Sequence, residues 1–345
     1  MSKYKAIDLF AGIGGIRLAF QMAFKDDIEF VFSSEIYDKA IKVYEANFGE
    51  RPHGDITKID PKQIPDHDIL LAGWPCQSFS IAGRKEGLND PRGNLFYEIA
   101  NILKEKRPYA FLLENVWYLK SHDKGKTFNT IMKVLKDDLK YYVYYDVLNA
   151  KYYGVPQNRS RLFIVGFKEP IEFKFPSPST EILPLKTILQ KNVPAKYYIS
   201  ERRLNGLRAH RKRHEEKGHG FGFRIIDAEG VANTLVKSNM GKDLNLIIDK
   251  PSPTSYEPKS RKIGSPNSEG IRRLTPEEWK RLMGFPSWFK IPLADTFAYN
   301  VLAESVVVPL VEKIAYQMKE AMEKRKLKGN VLDLFEILDK TANGE

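Results

Sequence analysis

Six short apolar runs alternate with helix-like stretches over residues 4–168, and this alternation limits the possible folds more than any other feature of the chain. The runs lie at Lys5 to Phe10, Glu29 to Phe32, Ile69 to Ala72, Ala110 to Leu113, Tyr142 to Leu148 and Arg161 to Phe167. Between them, Ile16 to Phe20, Tyr37 to Phe48, Leu95 to Lys106 and Thr127 to Leu139 carry helical spacing. Strand alternating with helix predicts an α/β fold, a mostly parallel sheet wrapped by helices. In such sheets ligands gather at the carboxyl ends of the strands, which is where the motifs of this chain fall.

After Lys168 the pattern breaks. Pro170, Pro176, Pro178, Pro184 and Pro194 mark a loop-rich entry to a second region. It holds a basic stretch from Arg202 to Arg213 and strand-like segments at Gly218 to Arg224 and Leu244 to Ile248. The expected organisation is a sheet-bearing domain over 1–178, completed by a C-terminal helix over 296–328. A smaller, mainly β and loop domain covers 179–295, and 329–345 form a tail. Lys and Arg outnumber Asp and Glu by 55 to 44, a net charge of +11 that suits a nucleic-acid partner. The single cysteine excludes an intramolecular disulfide and a multi-cysteine zinc site. No apolar run reaches the length of a membrane span, and Met1-Ser2-Lys3-Tyr4 leads straight into a strand, so a cytoplasmic protein is expected.

Phe10-x-Gly12-x-Gly14-Gly15 is a glycine turn between strand and helix, and Glu35 follows at the end of the next strand. Glycine lets the backbone approach a nucleotide, and the acid can chelate ribose hydroxyls. Arg17 stands where a dinucleotide fingerprint has its third glycine, which favours an adenosine cofactor without phosphates, such as S-adenosylmethionine, over a pyrophosphate one. Gly54-Asp55-Ile56 is a second acidic turn. Gly73-Trp74-Pro75-Cys76-Gln77-Ser78-Phe79-Ser80 places the lone cysteine just beyond a strand, beside a polar loop where a thiolate is stabilised and exposed. Glu114-Asn115-Val116 closes another strand of the same sheet. A thiolate with a carboxylic acid suits attack on an electron-poor ring and protonation of a ring nitrogen. Gln157-x-Arg159-x-Arg161 opens a further strand, with both arginines on one face, suited to a carbonyl oxygen or phosphates.

In order and spacing these motifs resemble the DNA cytosine carbon-5 methyltransferase family of bacteria and archaea. Arg273-Leu274-Thr275-Pro276 with Met283-Gly284-Phe285-Pro286 resembles its penultimate motif, and the likeness runs over about residues 4–320. It implies a Rossmann-like S-adenosylmethionine-dependent domain with a target-recognition domain. The implied activity is methyl transfer to carbon 5 of a flipped-out cytosine. Cys76 would attack carbon 6, Glu114 would contact nitrogen 3 and the amino group, Arg161 would hold the carbonyl oxygen and Arg159 would support the pocket. Phe10, Gly12, Gly14, Glu35, Ile36, Asp55, Ile56, Pro75, Leu95 and Ser305 match the family's cofactor contacts, and no metal is implied. The loop carrying Gln77, Ser80 and Arg84 matches a segment that closes over DNA. Arg202, Arg203, Arg211, Arg213 and Arg224 fall in the variable region expected to touch DNA, although Arg202 to Arg213 also suits a solvated helix face. Lys217 to Phe223 resembles the Dcm-like branch.

The implied partners are double-stranded DNA and a separately acting cognate endonuclease, with the enzyme itself a monomer, either in a restriction–modification system or as an orphan methylase. A tRNA cytosine-5 methyltransferase of the same fold and an impaired DNA-binding homologue are the competing readings. The second arises because the family's Gly-Asn-Ser-Val appears here as Ala303-Glu304-Ser305-Val306. A glutamate there adds negative charge beside the cofactor's carboxylate, so weak cofactor binding is expected.

Overall fold

The computed structural model describes residues 3–75, 95–220, 222–237, 239–251, 253 and 265–342. The first half forms β1 (Tyr4–Leu9), α1 (Gly15–Phe24), β2 (Ile28–Ser34), α2 (Asp38–Phe48), β3 (Ile69–Gly73), α3 (Leu95–Lys106), β4 (Ala110–Val116), α4 (Lys126–Lys133), β5 (Tyr142–Asn149), β6 (Gln157–Asn158) and β7 (Ser160–Phe167). Six of these strands make one sheet in the order β2-β1-β3-β4-β7-β5. β1 is parallel to β2 and β3, and β3 to β4, whereas β7 runs antiparallel between β4 and β5. The expected mostly parallel sheet is therefore present, with β7 as its one reversed strand.

Strand periodicity sorts the core into two layers. Ala6, Ile69, Leu71, Ala110, Leu112, Phe163 and Val165 join the cluster that packs on α1 and the C-terminal helix. Their neighbours Ile7, Leu70, Ala72, Phe111, Leu113, Leu162 and Ile164 join the cluster under α3 and α4. Both faces are covered, which is why these strands read as continuous apolar runs.

The second half forms α5 (Glu201–Glu215), β8 (Ala232–Asn233), α6 (Asn239–Asp243), β9 (Leu246–Ile248), β10 (Ile271–Arg273), α7 (Pro276–Leu282), α8 (Asp295–Glu304) and α9 (Val308–Ala342). β9 pairs with β10, and β8 pairs with β6 of the first half. Three expectations change. Gly218 to Arg224 contains no strand among the described residues: its alternating glycines put Gly218 at φ +72° and Gly222 at φ +152°, outside the β region. The single helix over 296–328 is two helices broken at Ser305–Val307, where the backbone turns ahead of Pro309 and the Val308 N–H donates to Met283 O at 2.9 Å. The tail from Gly329, expected as a separate extra helix, continues α9 to Ala342.

The boundaries at 178 and 295 are not clean breaks in packing, because Leu185, Ile188, Leu235, Trp279 and Leu282 belong to the large cluster of the first half. Among the described residues no helix is long and apolar enough to cross a membrane.

Candidate active site and cofactor crevice

The glycine turn leaves β1 under constraint. Phe10 sits at φ +53°, an unusual conformation for a side-chain-bearing residue and one found at functional turns. Gly14 has φ +83°, and a Cβ there would come within 2.2 Å of the Phe48 ring, so only glycine fits. Arg17, at the position of the missing third glycine, turns inward beneath this layer. It donates to Tyr44 Oη at 2.8 Å, pairs with Glu50 and lies 4.5 Å from the centre of the Phe48 ring. An arginine therefore occupies the place where a dinucleotide fold brings helix and strand into close contact. Nearby Asp8 is wholly buried, and burial pushes its carboxyl well above the usual carboxylate range, against the pull of Arg17.

Glu35 ties the turn to β2. One carboxylate oxygen accepts the N–H groups of Ile36 and Tyr37, each at 2.8 Å, and the other accepts the Gly12 N–H at 2.8 Å. A carboxylate has acceptor positions beyond three, so a sugar hydroxyl can still be received. Ile36 stands 70 % exposed beside it, an apolar surface suited to a base ring. Asp55 caps a short turn through Thr57, whose N–H and hydroxyl both reach the same oxygen, while Ile56 is buried. Ser305 packs against the start of α1. Its buried hydroxyl has no hydrogen-bond partner and lies 2.7 Å from where a Cβ on Gly15 would stand. A glycine turn, an acid with acceptor capacity, an exposed apolar side chain and an unpartnered buried hydroxyl fit an adenosine bearing a polar amino-acid tail. Phe10, Gly12, Gly14, Glu35 and Ile36 lie in or beside the glycine turn and the end of β2, Asp55 and Ile56 in the short turn after His53, which pairs with Ser34, and Ser305 against Gly15.

The second group lies at the ends of β3, β4 and β7. Gly73 pairs with Glu114, and Val116 with Arg161, so the strand register carries the carboxylate and the guanidinium to one edge. Arg161 Nε is 3.1 Å from Glu114 Oε1, and both side chains are largely buried. Burial pushes the Glu114 carboxyl up, with Arg161 and then Arg159 opposing. Pro75 is exposed just past β3, and Leu95 opens α3 half-buried. Cys76, Gln77, Ser80 and Arg84 lie outside the described residues.

Arg159 does not face this edge alone. Its guanidinium donates to Leu235 O at 3.0 Å, Ala303 O at 3.0 Å and Ser305 O at 2.8 Å, which binds three segments together. Among the basic residues of the second region, Arg203 pairs with Asp243 and Arg211 with Glu215. Arg202, Arg213 and Arg224 are exposed. α5 buries only Leu204, so the basic stretch is largely a solvated helix.

Two residues carry roles that the sequence motifs quoting them did not assign. Asn115, 2 % exposed, donates to Trp74 O at 3.3 Å and so holds the segment that leads to Pro75 and Cys76. Gln157 is buried, donates to Leu282 O at 2.9 Å and accepts from the Leu235 N–H. The available signal was a polar side chain on a strand whose neighbours are buried on both faces.

The glycine turn at the sheet's carboxyl edge, the acid beside it and the buried carboxyl–guanidinium pair fit the class of α/β methyltransferases. The chain belongs to the C-5 cytosine-specific DNA methylase family, which it matches over residues 4–320. It is 46 % identical over 338 residues to the type II methyltransferase M.HpaII of Haemophilus parainfluenzae, a match covering 96 % of this chain and 92 % of that protein. To the type II methyltransferase M1.ScrFI of Lactococcus lactis subsp. cremoris it is 46 % identical over 330 residues, covering 94 % of this chain and 80 % of the other. The solved structure of the Entamoeba histolytica methyltransferase EhMeth aligns with a TM-score of 0.74 at 21 % identity, covering 93 % of this chain and 99 % of that one, a likeness of fold. The chain is accordingly a DNA (cytosine-5) methyltransferase that uses S-adenosylmethionine, and the family and its named relatives do not favour the tRNA reading.

Proposed function

We propose that the enzyme methylates one cytosine within a specific duplex sequence, as the modification half of a type II restriction–modification system. It would act as a monomer, with its cognate endonuclease a separate protein. The observation that carries the chemistry is the buried Glu114–Arg161 pair at the strand ends, one strand from the segment that leads into Cys76.

The residues divide the work as follows. Cys76 supplies the thiolate that adds to carbon 6 of the flipped base. Glu114, whose carboxyl burial pushes above its ordinary value, would give a proton to ring nitrogen 3, so that electron density gathers at carbon 5 rather than as full charge on the ring. Arg161 orients Glu114 and offers the rest of its fork to the base's carbonyl oxygen. S-adenosylmethionine, when bound, supplies the electrophilic methyl group. Loss of the carbon-5 proton to a base then expels the thiolate and restores the ring. Glu35, Ile36, Asp55 and Ser305 would hold the cofactor. Asn115 fixes the backbone ahead of the nucleophile, and Arg159 keeps the crevice wall and the second region in register. Gln77, Ser80, Arg84, Arg202, Arg213 and Arg224 would meet DNA.

Bisulfite sequencing of a plasmid treated with enzyme and S-adenosylmethionine tests the reading. Protected cytosines are expected in one recurring context, and Cys76→Ala is expected to abolish protection while specific DNA binding persists. Turnover retained by Cys76→Ala would sink covalent catalysis.

A further inference from the structure

An exposed indole stands beside the catalytic edge with no role yet assigned to it. Val116, the last residue of β4, pairs with Arg161, and Glu114 lies two residues before it. The chain then turns through Trp117–Lys120. Leu119 is fully buried and anchors that turn in the cluster under α3 and α4. Trp117 is left 46 % exposed, although an indole is among the side chains with most to gain from burial. The Tyr118 ring stands perpendicular to it, 6.1 Å away between centres.

Positive charge accompanies the indole. Lys120, Lys124 and Lys126 are all exposed, and Asp123 is the one acid across residues 117–126. Lys120 Nζ lies 5.4 Å from the centre of the Tyr145 ring, which carries the aromatic and basic surface onto β5. Protein interfaces tend to exclude lysine from their centres. An aromatic ring interleaved with lysines instead suits a nucleic-acid strand, the ring against a base or sugar and the ammonium groups against phosphates.

We propose that Trp117 is a positioning residue for DNA, lying against the nucleotide next to the flipped cytosine while Lys120 and Lys124 meet phosphates of the same strand. Contact with the indole would offset part of the stacking that this neighbour loses when the cytosine leaves the duplex. The proposal rests on the reading of the Glu114–Arg161 edge as the place that receives the target base.

The test uses the whole chain, S-adenosylhomocysteine and a labelled duplex carrying the context found by bisulfite sequencing. With 2-aminopurine at the target position, emission rises when that base leaves the stack. Trp117→Ala is expected to weaken duplex binding about five- to hundredfold and to reduce the 2-aminopurine signal. Trp117→Phe keeps a ring and should bring both back to within about threefold of wild type. Lys120→Gln with Lys124→Gln should lower the salt slope of binding by about two. Affinity for S-adenosylhomocysteine alone should hold in every variant. Unchanged duplex affinity, or an unchanged 2-aminopurine signal, in Trp117→Ala would overturn the proposal. A fall in its S-adenosylhomocysteine affinity would also overturn it, by making the indole part of the site's packing. If instead Glu114→Gln methylates at the wild-type rate, the reading of the catalytic edge fails, whatever Trp117 does.

Discussion

Two helices show how differently the halves of this enzyme are held. In the sheet-bearing unit, α1 has no side-chain cap and no acid in its first turn, yet eight of its ten residues are buried. In the second region α5 is half as long again, buries Leu204 alone, and begins at Ser200, whose hydroxyl accepts the Arg203 N–H. The contrast extends to the cores. The sheet lies between two large apolar clusters, to one of which the second region also contributes, whereas that region's own cluster has five buried residues, Ile199, Leu204, Phe223, Leu246 and Ile271. Beside that small cluster lies charge. Arg272, fully buried, makes a two-pronged contact with the equally buried Glu278 at 2.8 and 2.9 Å and reaches Asp249 at 2.6 Å. Glu278 in turn closes a capping box with Thr275 at the start of α7. A rigid apolar frame suits bond-making at fixed geometry. A polar, lightly packed region can vary its surface while its fold depends on a few ion pairs.

The largest effect should come from the chemistry of the rigid unit, without harm to its fold. Glu114→Gln is expected to lower the single-turnover methylation rate about 10²–10⁴-fold, the usual worth of a positioned acid. Affinity for S-adenosylhomocysteine should hold. Because burial raises the Glu114 carboxyl, the wild-type rate should fall as pH rises through that raised value, as the proton needed at the ring nitrogen is lost. The same shift sets the sign for stability. The folded state holds this proton more tightly than the unfolded one, so Glu114 costs stability above the ordinary carboxylate range, and that cost disappears on acidification. A Glu114→Gln enzyme that kept the alkaline fall in rate would assign the limb to another group.

Next in size is the buried ion pair of the second region. Arg272→Ala leaves Glu278 buried without its partner and is expected to cost about 3–5 kcal/mol. Leu112→Ala in the sheet should cost a similar amount, about 2–5 kcal/mol, through a cavity. The two should nonetheless fail differently. Hydrogen exchange should show β9, β10 and α7 opening first in Arg272→Ala, with the sheet still protected, whereas Leu112→Ala should lower protection throughout the sheet. Replacing both partners, Arg272→Met with Glu278→Gln, should recover much of the loss, because no buried charge then remains unpaired. Uniform loss of protection in Arg272→Ala would mean that the two halves unfold as one.

This contrast also decides what could be read from sequence. The sheet was legible because its strands are buried on both faces and its helices carry period-3.6 stripes, signals that need no knowledge of distant partners. Glu114 and Arg161 were legible as types on strand ends, and register alone brings them together. Asn115 and Gln157 were quoted without a role because their partners, Trp74 O and Leu282 O, are backbone atoms 41 and 125 residues away. Gly218 to Arg224 was misread as strand because alternation of glycine with larger residues imitates a period of two, while glycine's freedom at φ undoes it. The pairing of Glu304 with Lys237 was not legible because Lys237 lies 67 residues earlier in a region whose course no local pattern specifies.

The smallest effect concerns α5 itself and tests whether that helix depends on its cap. With a single buried side chain and a run of like charges from Arg202 to Arg213, burial contributes little to it. Losing the capping oxygen in Ser200→Ala should cost about 1 kcal/mol. Ser200→Asp should restore it, since a carboxylate both caps the orphan N–H groups and meets the positive end of the helix dipole. The readout is amide exchange along Glu201–Glu215: faster in Ser200→Ala, restored in Ser200→Asp, with α1 unchanged in both. Exchange in α5 that ignores both substitutions would show that the Arg203–Asp243 and Arg208–Glu269 pairs, not the cap, hold the helix. α5 would then rest on its ion pairs, and raised salt should loosen it while leaving α1 in place.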